Sequence, residues 1–256
     1  MTGKTPVFIN IRLDHADGRA TIVLDRPGRI NAYTAEMYRE IRSAVRIADA
    51  DPKTAVIVFR AEGDVFGAGG DLEEMLSFLD AGDPELIHQY QDDLPFAAVR
   101  ACRKPTLAAV RGTCVGGGFG LATACDLVVA EAGTRIGIPE ARVGLIDGLA
   151  IAALYGHVPL QALRYLLFTG ALIDASEAMR LGMVFDCVPP ERFERRVGEI
   201  AAELAASSPD AVAEYKRILR TYDRPDHVTD LMAMLTRNPE TADRIRSFFD
   251  RPRGSR

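Results

Sequence analysis

The sequence predicts an α/β fold, and three observations carry that reading. Ala55–Phe59 (AVIVF), Thr106–Val110 (TLAAV) and Leu127–Ala130 (LVVA) are continuous apolar runs. Such runs mark strands covered on both faces, as in a parallel sheet. Glycine-rich segments follow the first two, around Gly63–Asp71 and Gly112–Gly120, and each leads into a helical stretch. Strand, glycine loop and helix therefore recur, which implies crossover connections. With about 100–200 residues per domain, a chain of 256 residues is one large domain or two small ones.

The elements follow in order. Val7, Ile9, Ile11 and Leu13 recur at a spacing of two, the period of a strand. Asp17-Gly18 is a hairpin turn, and Ala20–Leu24 alternates again on its far side. Arg26-Pro27-Gly28 ends the hairpin. Thr34 caps a helix whose Met37, Ile41, Val45 and Ala48 form one apolar stripe, and Asp51-Pro52 stops it. Helical stretches are expected at Leu72–Leu79, Leu86–Arg103, Phe119–Ala124, Leu149–Leu167 and Ser176–Leu181. Thr134–Ile138 and Met183–Val188 are short strands, the second broken by Pro189-Pro190. Ser208-Pro209 starts a helix with Ser at the cap and Pro in the first turn. From there to Phe249 the chain is helical and polar, with a break around Asp223–Asp226.

Composition removes several function classes. Lys plus Arg number 31 and Asp plus Glu 36, a formal charge of −5 that argues against nucleic acid. An anionic small ligand is compatible, because a helix N-terminus can bind one. Met1–Arg12 lacks the apolar region of a signal peptide. Gly148–Leu163, uncharged but interrupted by His157, Pro159 and Gln161, falls short of the ~20 apolar residues that span a bilayer. Cys102, Cys114, Cys125 and Cys187 have no CxxC spacing, so they read as reduced thiols of a cytoplasmic protein. The four histidines are scattered, without a metal-binding pattern.

The glycine loops hold the chemistry. A phosphate-binding P-loop needs GxxxxGK[ST], and neither loop has the Lys. The dinucleotide fingerprint needs a third glycine, where Thr123 and Leu72 stand instead. Each loop by itself is equally a tight turn. Two loops that both expose N–H groups before a helix can grip one oxygen whose charge grows during reaction. Glycine suits that role because it lets a ligand approach the backbone closely.

At this point the motifs become specific. Phe66-Gly67-Ala68-Gly69-Gly70-Asp71-Leu72-Glu73-Glu74-Met75 resembles the F-x-A-G-x-D-L-x-E-M segment of the crotonase, or enoyl-CoA hydratase/isomerase, superfamily. Leu24–Pro27, Asn31-Ala32, Lys104–Thr106, Gly116–Gly118, Cys125–Leu127, Pro139-Glu140 and Val143–Ile146 continue the likeness in order. Thr169-Gly170, Ala175, Glu177-Ala178 and Leu181–Val184 complete it, over about residues 8–250.

The resemblance implies a spiral of repeated ββα units over residues 1–190 and a C-terminal helical, trimerising region over 191–256. It implies an acyl-CoA thioester substrate, no cofactor beyond the coenzyme A of that substrate, no metal, and a homotrimer or dimer of trimers. The backbone N–H groups of Gly70 and Gly117 would hold the thioester oxygen, with Ala68, Gly69 and Asp71 lining the substrate. Arg26, Arg29 and Arg251 are candidate counter-charges for the coenzyme A phosphates. Family hydratases use two glutamates; here one is present as Glu140, and Gly120 stands at the other position. A single glutamate is similar to the family's Δ3,Δ2-enoyl-CoA isomerases, with Glu140 carrying a proton from Cα to Cγ. Asp147 is a second catalytic candidate and, alternatively, a helix N-cap. The family's G-G-T-Q-R-L region reads Leu149–Leu154 here, an apolar replacement that suggests an altered acyl pocket. Two alternatives stay open: a hydratase or dehydratase in which Asp147 or a bound water replaces the lost glutamate, and a non-catalytic acyl-CoA- or RNA-binding member.

Overall fold

A computed structural model describes residues 6–82, 93–221 and 239–250. The chain starts with a hairpin, β1 (Ile11–Ala16) and β2 (Arg19–Leu24). Asp17 and Gly18 both have positive φ, 50° and 75°, the primed turn whose twist matches the strands it joins. Helix α1 (Ala35–Ala50) follows, its N-terminus closed by Thr34 Oγ1 accepting from Met37 N at 3.2 Å. The predicted stripe Met37, Ile41, Val45 and Ala48 is fully buried.

Three ββα units then repeat. The first is β3 (Val56–Ala61), β4 (Val65–Gly67) and α2 (Leu72–Ala81). After the short α3 (Phe96–Ala101), the second is β5 (Thr106–Val110), β6 (Thr113–Val115) and α4 (Gly117–Ala124). The third is β7 (Leu127–Glu131) and β8 (Arg135–Gly137), then a 3-10 turn at Glu140–Val143 and α5 (Gly148–Leu154). The chain continues through α6 (Leu160–Thr169), β9 (Leu172–Asp174), α7 (Ala175–Arg180) and β10 (Asp186–Val188). It then runs through α8 (Pro190–Ala205), α9 (Pro209–Leu219) and α10 (Pro239–Asp250).

Each repeat gives one strand to each of two sheets. The larger has the order β1-β2-β3-β5-β7-β10 and is parallel except for the hairpin. The smaller, β4-β6-β8-β9, is parallel up to its antiparallel β8-β9 edge. β8 lies within the strand expected at Thr134–Ile138, whereas β4, β6 and β9 escape a reading by periodicity, which needs at least four residues. One core joins α1, α4 and the inner faces of the sheets. A second seals the outer face of the larger sheet, where Phe193, Val197, Ile200 and Ala201 of α8 cover Val56, Val58, Leu107 and Val129.

Other expectations are corrected. Leu149–Leu167 is two helices, because Pro159 cannot donate to a helix ladder and restricts the residue before it. Met183–Val188 is a strand only at Asp186–Val188; Met183 and Val184 are buried in the preceding loop. Pro189-Pro190 ends β10 as expected, and Pro190 also opens α8, since an N–H is dispensable in a first turn. Ser208 caps α9 as expected, accepting from Ala211 N at 3.4 Å. Lys216 anchors α9 on the core by donating to Asp126 Oδ2 at 2.5 Å and Lys104 O at 3.0 Å. The expected helix at Leu86–Arg103 lies partly, and the break at Asp223–Asp226 wholly, outside the described residues.

Candidate active site

The topology brings both glycine loops to one place, because β4 and β6 pair side by side. Asn31 supports the first loop. It is fully buried, with Nδ2 donating to Glu62 O (2.9 Å) and Val65 O (2.7 Å) and Oδ1 accepting from Arg26 N (2.8 Å). Tyr33 N donates to Gly69 O, and Asp71 N donates to Tyr33 O, both at 2.8 Å. This pairing fixes the peptide on each side of Gly70. Asp71 caps α2, accepting from Glu73 N and Glu74 N, and its other oxygen accepts from Arg26 at 2.9 Å. Burial pushes the Asp71 carboxyl up, but the Arg26 and Glu74 hydrogen bonds and the Arg26 and Arg29 charges outweigh it and hold it below the ordinary value.

The second loop is built on Gly116, whose φ of 54° and ψ of −131° suit glycine alone. Its N–H donates to Gly137 O at 3.2 Å, and α4 starts at the next residue. The loops touch along a seam of glycines. A Cβ on Gly118 would collide with Gly67 O, and one on Gly69 would lie 3.3 Å from Gly117 N. Gly117 is the first residue of α4, where an N–H has no partner within its own helix. Ala68 is half-buried and Gly69 buried in the same seam.

Glu140 faces this seam from the turn after β8. A Cβ on Gly116 would collide with its Oε1. Its Oε2 is sealed from solvent without a hydrogen-bond partner among the described residues. Burial, and then the charge of Asp147, push the Glu140 carboxyl well above the usual range. Asp147 caps α5, its Oδ1 accepting from Ala150 N at 2.8 Å. Burial pushes its carboxyl up too, opposed by main-chain hydrogen bonds from Ala150 and Leu149. Burial thus raises both carboxyls, Glu140 further through the charge of Asp147, while main-chain donors at the start of α5 oppose the rise at Asp147.

Gly120 lies one turn into α4. A Cβ there would stand 3.4 Å from two ring atoms of Phe96, which is buried. A side chain at 120 would therefore start in contact with this ring. The sequence carries no signal for Phe96, since α3 and α4 meet only in the fold. Helix α10 backs the Glu140 turn, with buried Ile245 packed on Val143 and Leu145, and Thr241 Oγ1 donating to Gly144 O at 3.4 Å.

The expected counter-charges sit at the edge of the first loop. Arg26 donates to Asp71 and to Ala32 O, and the half-exposed Arg29 pairs with Glu73 and lies 3.8 Å from Asp71. Arg251 lies outside the described residues. Among the described residues no three His, Cys, Asp or Glu side chains are grouped to hold a metal ion. A groove of about 380 Å³ beside α8, lined by Arg12, Arg19, Arg60 and Arg111, includes no residue of this site.

Comparison with known proteins gives consistent matches. The sequence profile of the enoyl-CoA hydratase/isomerase family matches residues 14–244. The chain is 33% identical over 211 residues to the (7aS)-7a-methyl-1,5-dioxo-2,3,5,6,7,7a-hexahydro-1H-indene-carboxyl-CoA hydrolase of Rhodococcus jostii, covering 82% of this chain and 80% of that one. It is 32% identical over 212 residues to the crotonyl-CoA hydratase of Syntrophomonas wolfei, covering 80% and 79%. The crystal structure of an enoyl-CoA hydratase/isomerase from Xanthobacter autotrophicus superposes with a TM-score of 0.81 at 28% identity, covering 95% of this chain and 93% of that one.

Proposed function

The chain belongs to the enoyl-CoA hydratase/isomerase family, and from that premise we propose that it shifts a double bond in an acyl-CoA thioester from the 3,4 to the 2,3 position. Its α/β fold is the ββα spiral of that family, and it is an enzyme of the crotonase superfamily. The thioester oxygen accepts from the N–H groups of Gly70 and Gly117. Glu140 removes a proton from Cα, and the electron pair of that bond moves onto the oxygen as a conjugated enolate. The same carboxyl returns the proton to Cγ, leaving the double bond between Cα and Cβ. The chemistry needs one carboxyl and no water, and no cofactor beyond the coenzyme A that the substrate carries.

The observation that carries this reading is the pairing of Glu140 with Gly120. Glu140, with its Oε2 buried and unpartnered among the described residues, faces the glycine seam, and position 120, beside the Phe96 ring, has no carboxyl to join it. Burial, and then the charge of Asp147, raise the Glu140 carboxyl, as proton transfer near neutral pH requires.

Asp147 favours a second reading. Its charge reaches Glu140, and a second carboxyl in the site supports hydration, the activity in the name of the S. wolfei relative. Turnover of a 3-enoyl-CoA measured beside hydration of crotonyl-CoA separates the two. Isomerisation well above hydration is expected, and rapid hydration without isomerisation overturns the first reading. Binding of both thioesters without turnover of either supports the non-catalytic alternative.

The proposal extends to assembly and location. Exposed Tyr165 and Phe168 on α6 and exposed Phe185 support a homotrimer or dimer of trimers, to be checked by light scattering. Four free cysteines, three of them buried, support a reducing, cytoplasmic setting, and no helix among the described residues is long and apolar enough to cross a membrane.

A further inference from the structure

We propose that Tyr33 is a positioning residue that sets the separation of the two backbone donors, Gly70 and Gly117. The inference rests on the preceding assignment of those donors. The main chain of Tyr33 binds the first loop, and its ring touches both loops. Its N–H and C=O bracket Gly70 through Gly69 O and Asp71 N, both at 2.8 Å. Its ring lies against the first loop at Gly67 and against the second at Gly117. A Cβ on Gly67 would lie 2.6 Å from Tyr33 Oη and 3.1 Å from Cζ, and a Cβ on Gly117 would lie 3.4 Å from Cδ2. The ring is therefore a rigid spacer under both glycine loops, with no exposed surface of its own.

The ring is braced in turn. Tyr38 packs edge-on against it at 5.2 Å between centroids, and Phe96 packs edge-on against Tyr38 at 5.9 Å. Tyr38 Oη would lie 2.7 Å from a Cβ on Gly117. The Tyr33 hydroxyl is buried without a hydrogen-bond partner among the described residues, and burial raises its pKa, so it stays neutral. An unpaired buried hydroxyl lowers stability, so the ring, not the hydroxyl, carries the role. Backbone donors act through their distance to the developing oxyanion, and a displacement of about 1 Å can cost up to roughly 100-fold in rate.

The test compares Tyr33→Leu and Tyr33→Phe with the unaltered protein, using cinnamoyl-CoA as a bound chromophore. Its absorption moves to longer wavelength when the carbonyl oxygen is polarised by two donors. Tyr33→Leu is expected to lose most of that shift and at least about tenfold in kcat, with KM changed much less. Tyr33→Phe is expected to keep both the shift and kcat and to match or exceed the original thermal stability. If Tyr33→Leu does not fold, Tyr33→Met supplies the same comparison, because it fills the volume without a rigid ring. A full shift and kcat in the folded Leu or Met variant overturns the role of Tyr33. Equal losses in Tyr33→Phe and Tyr33→Leu overturn the ring argument in favour of the hydroxyl. An unaltered protein that binds cinnamoyl-CoA with no shift overturns the donor assignment itself.

Discussion

Replacing Glu140 with glutamine keeps the shape of the side chain and removes its proton, which makes two opposite changes measurable in one variant. General acid–base catalysis contributes about 10²- to 10⁴-fold, so isomerisation of a 3-enoyl-CoA should fall by that factor, roughly 3–5 kcal/mol of barrier. Stability should move the other way, and its sign follows from the raised carboxyl. Burial and Asp147 lift the folded-state value above the ordinary 4.5. Between 4.5 and that raised value, the folded protein binds more protons than the unfolded chain, so rising pH destabilises it. The slope approaches about 1.4 kcal/mol per pH unit for one proton and flattens above the raised value. The amide of the Glu140→Gln variant has no proton to lose. The variant should therefore gain on the unaltered protein as pH rises, with the gain absent below the ordinary glutamate range. Removing Glu140 also removes the charge that Asp147 meets, so the difference reports the titration of the pair. Urea denaturation at several values between about pH 5 and 8 reads the difference. A pH-independent difference refutes the buried, raised carboxyl, and turnover within about threefold of the original refutes the catalytic role.

Three further outcomes follow from the same structure. Asp147→Asn removes the like charge beside Glu140, so the acid limb of the kcat/KM profile should move to lower pH; Asn keeps the α5 cap, and the stability change should stay below about 1 kcal/mol. Gly118→Ala drives a Cβ into Gly67 O and should cost about 1–3 kcal/mol by thermal melting, with a loss of turnover as the loops part. Lys216→Met leaves Asp126 with Thr106 alone, and because Asp126 is a third exposed the loss should be about 2 kcal/mol, below the roughly 3–5 of a fully buried pair.

Local chemistry is legible wherever neighbouring residues decide it. Asp17-Gly18 adopts the predicted hairpin turn, Thr34 and Ser208 cap their helices, and Asp147 caps α5. These features depend on a few adjacent dihedrals and one hydrogen bond. The apolar runs at Ala55–Phe59 and Thr106–Val110 form adjacent parallel strands because their burial on both faces is written in every residue. Three of the five three-residue strands are not legible in this way, while β8 and β10 lie within expected strands. β4, β6 and β9 are too short to display a period, and pairing within their sheet, not propensity, makes them strands. The break between α5 and α6 is hidden because apolar residues continue through it on both sides of Pro159.

The sequence by itself determined the class of fold, the two glycine loops, and the presence of Glu140 opposite an absent carboxyl at 120. Each is a matter of residue type and order along the chain. Only the tertiary structure decided what those residues meet. Phe96 covers Gly120 from a separate helix, Tyr33 wedges both loops, and Asp147 brings its charge to Glu140 across a turn. The raised carboxyl is the clearest case. A glutamate's proton affinity depends on the water removed from around it and on the charges left nearby, and both are set by the packing of segments that are remote in sequence.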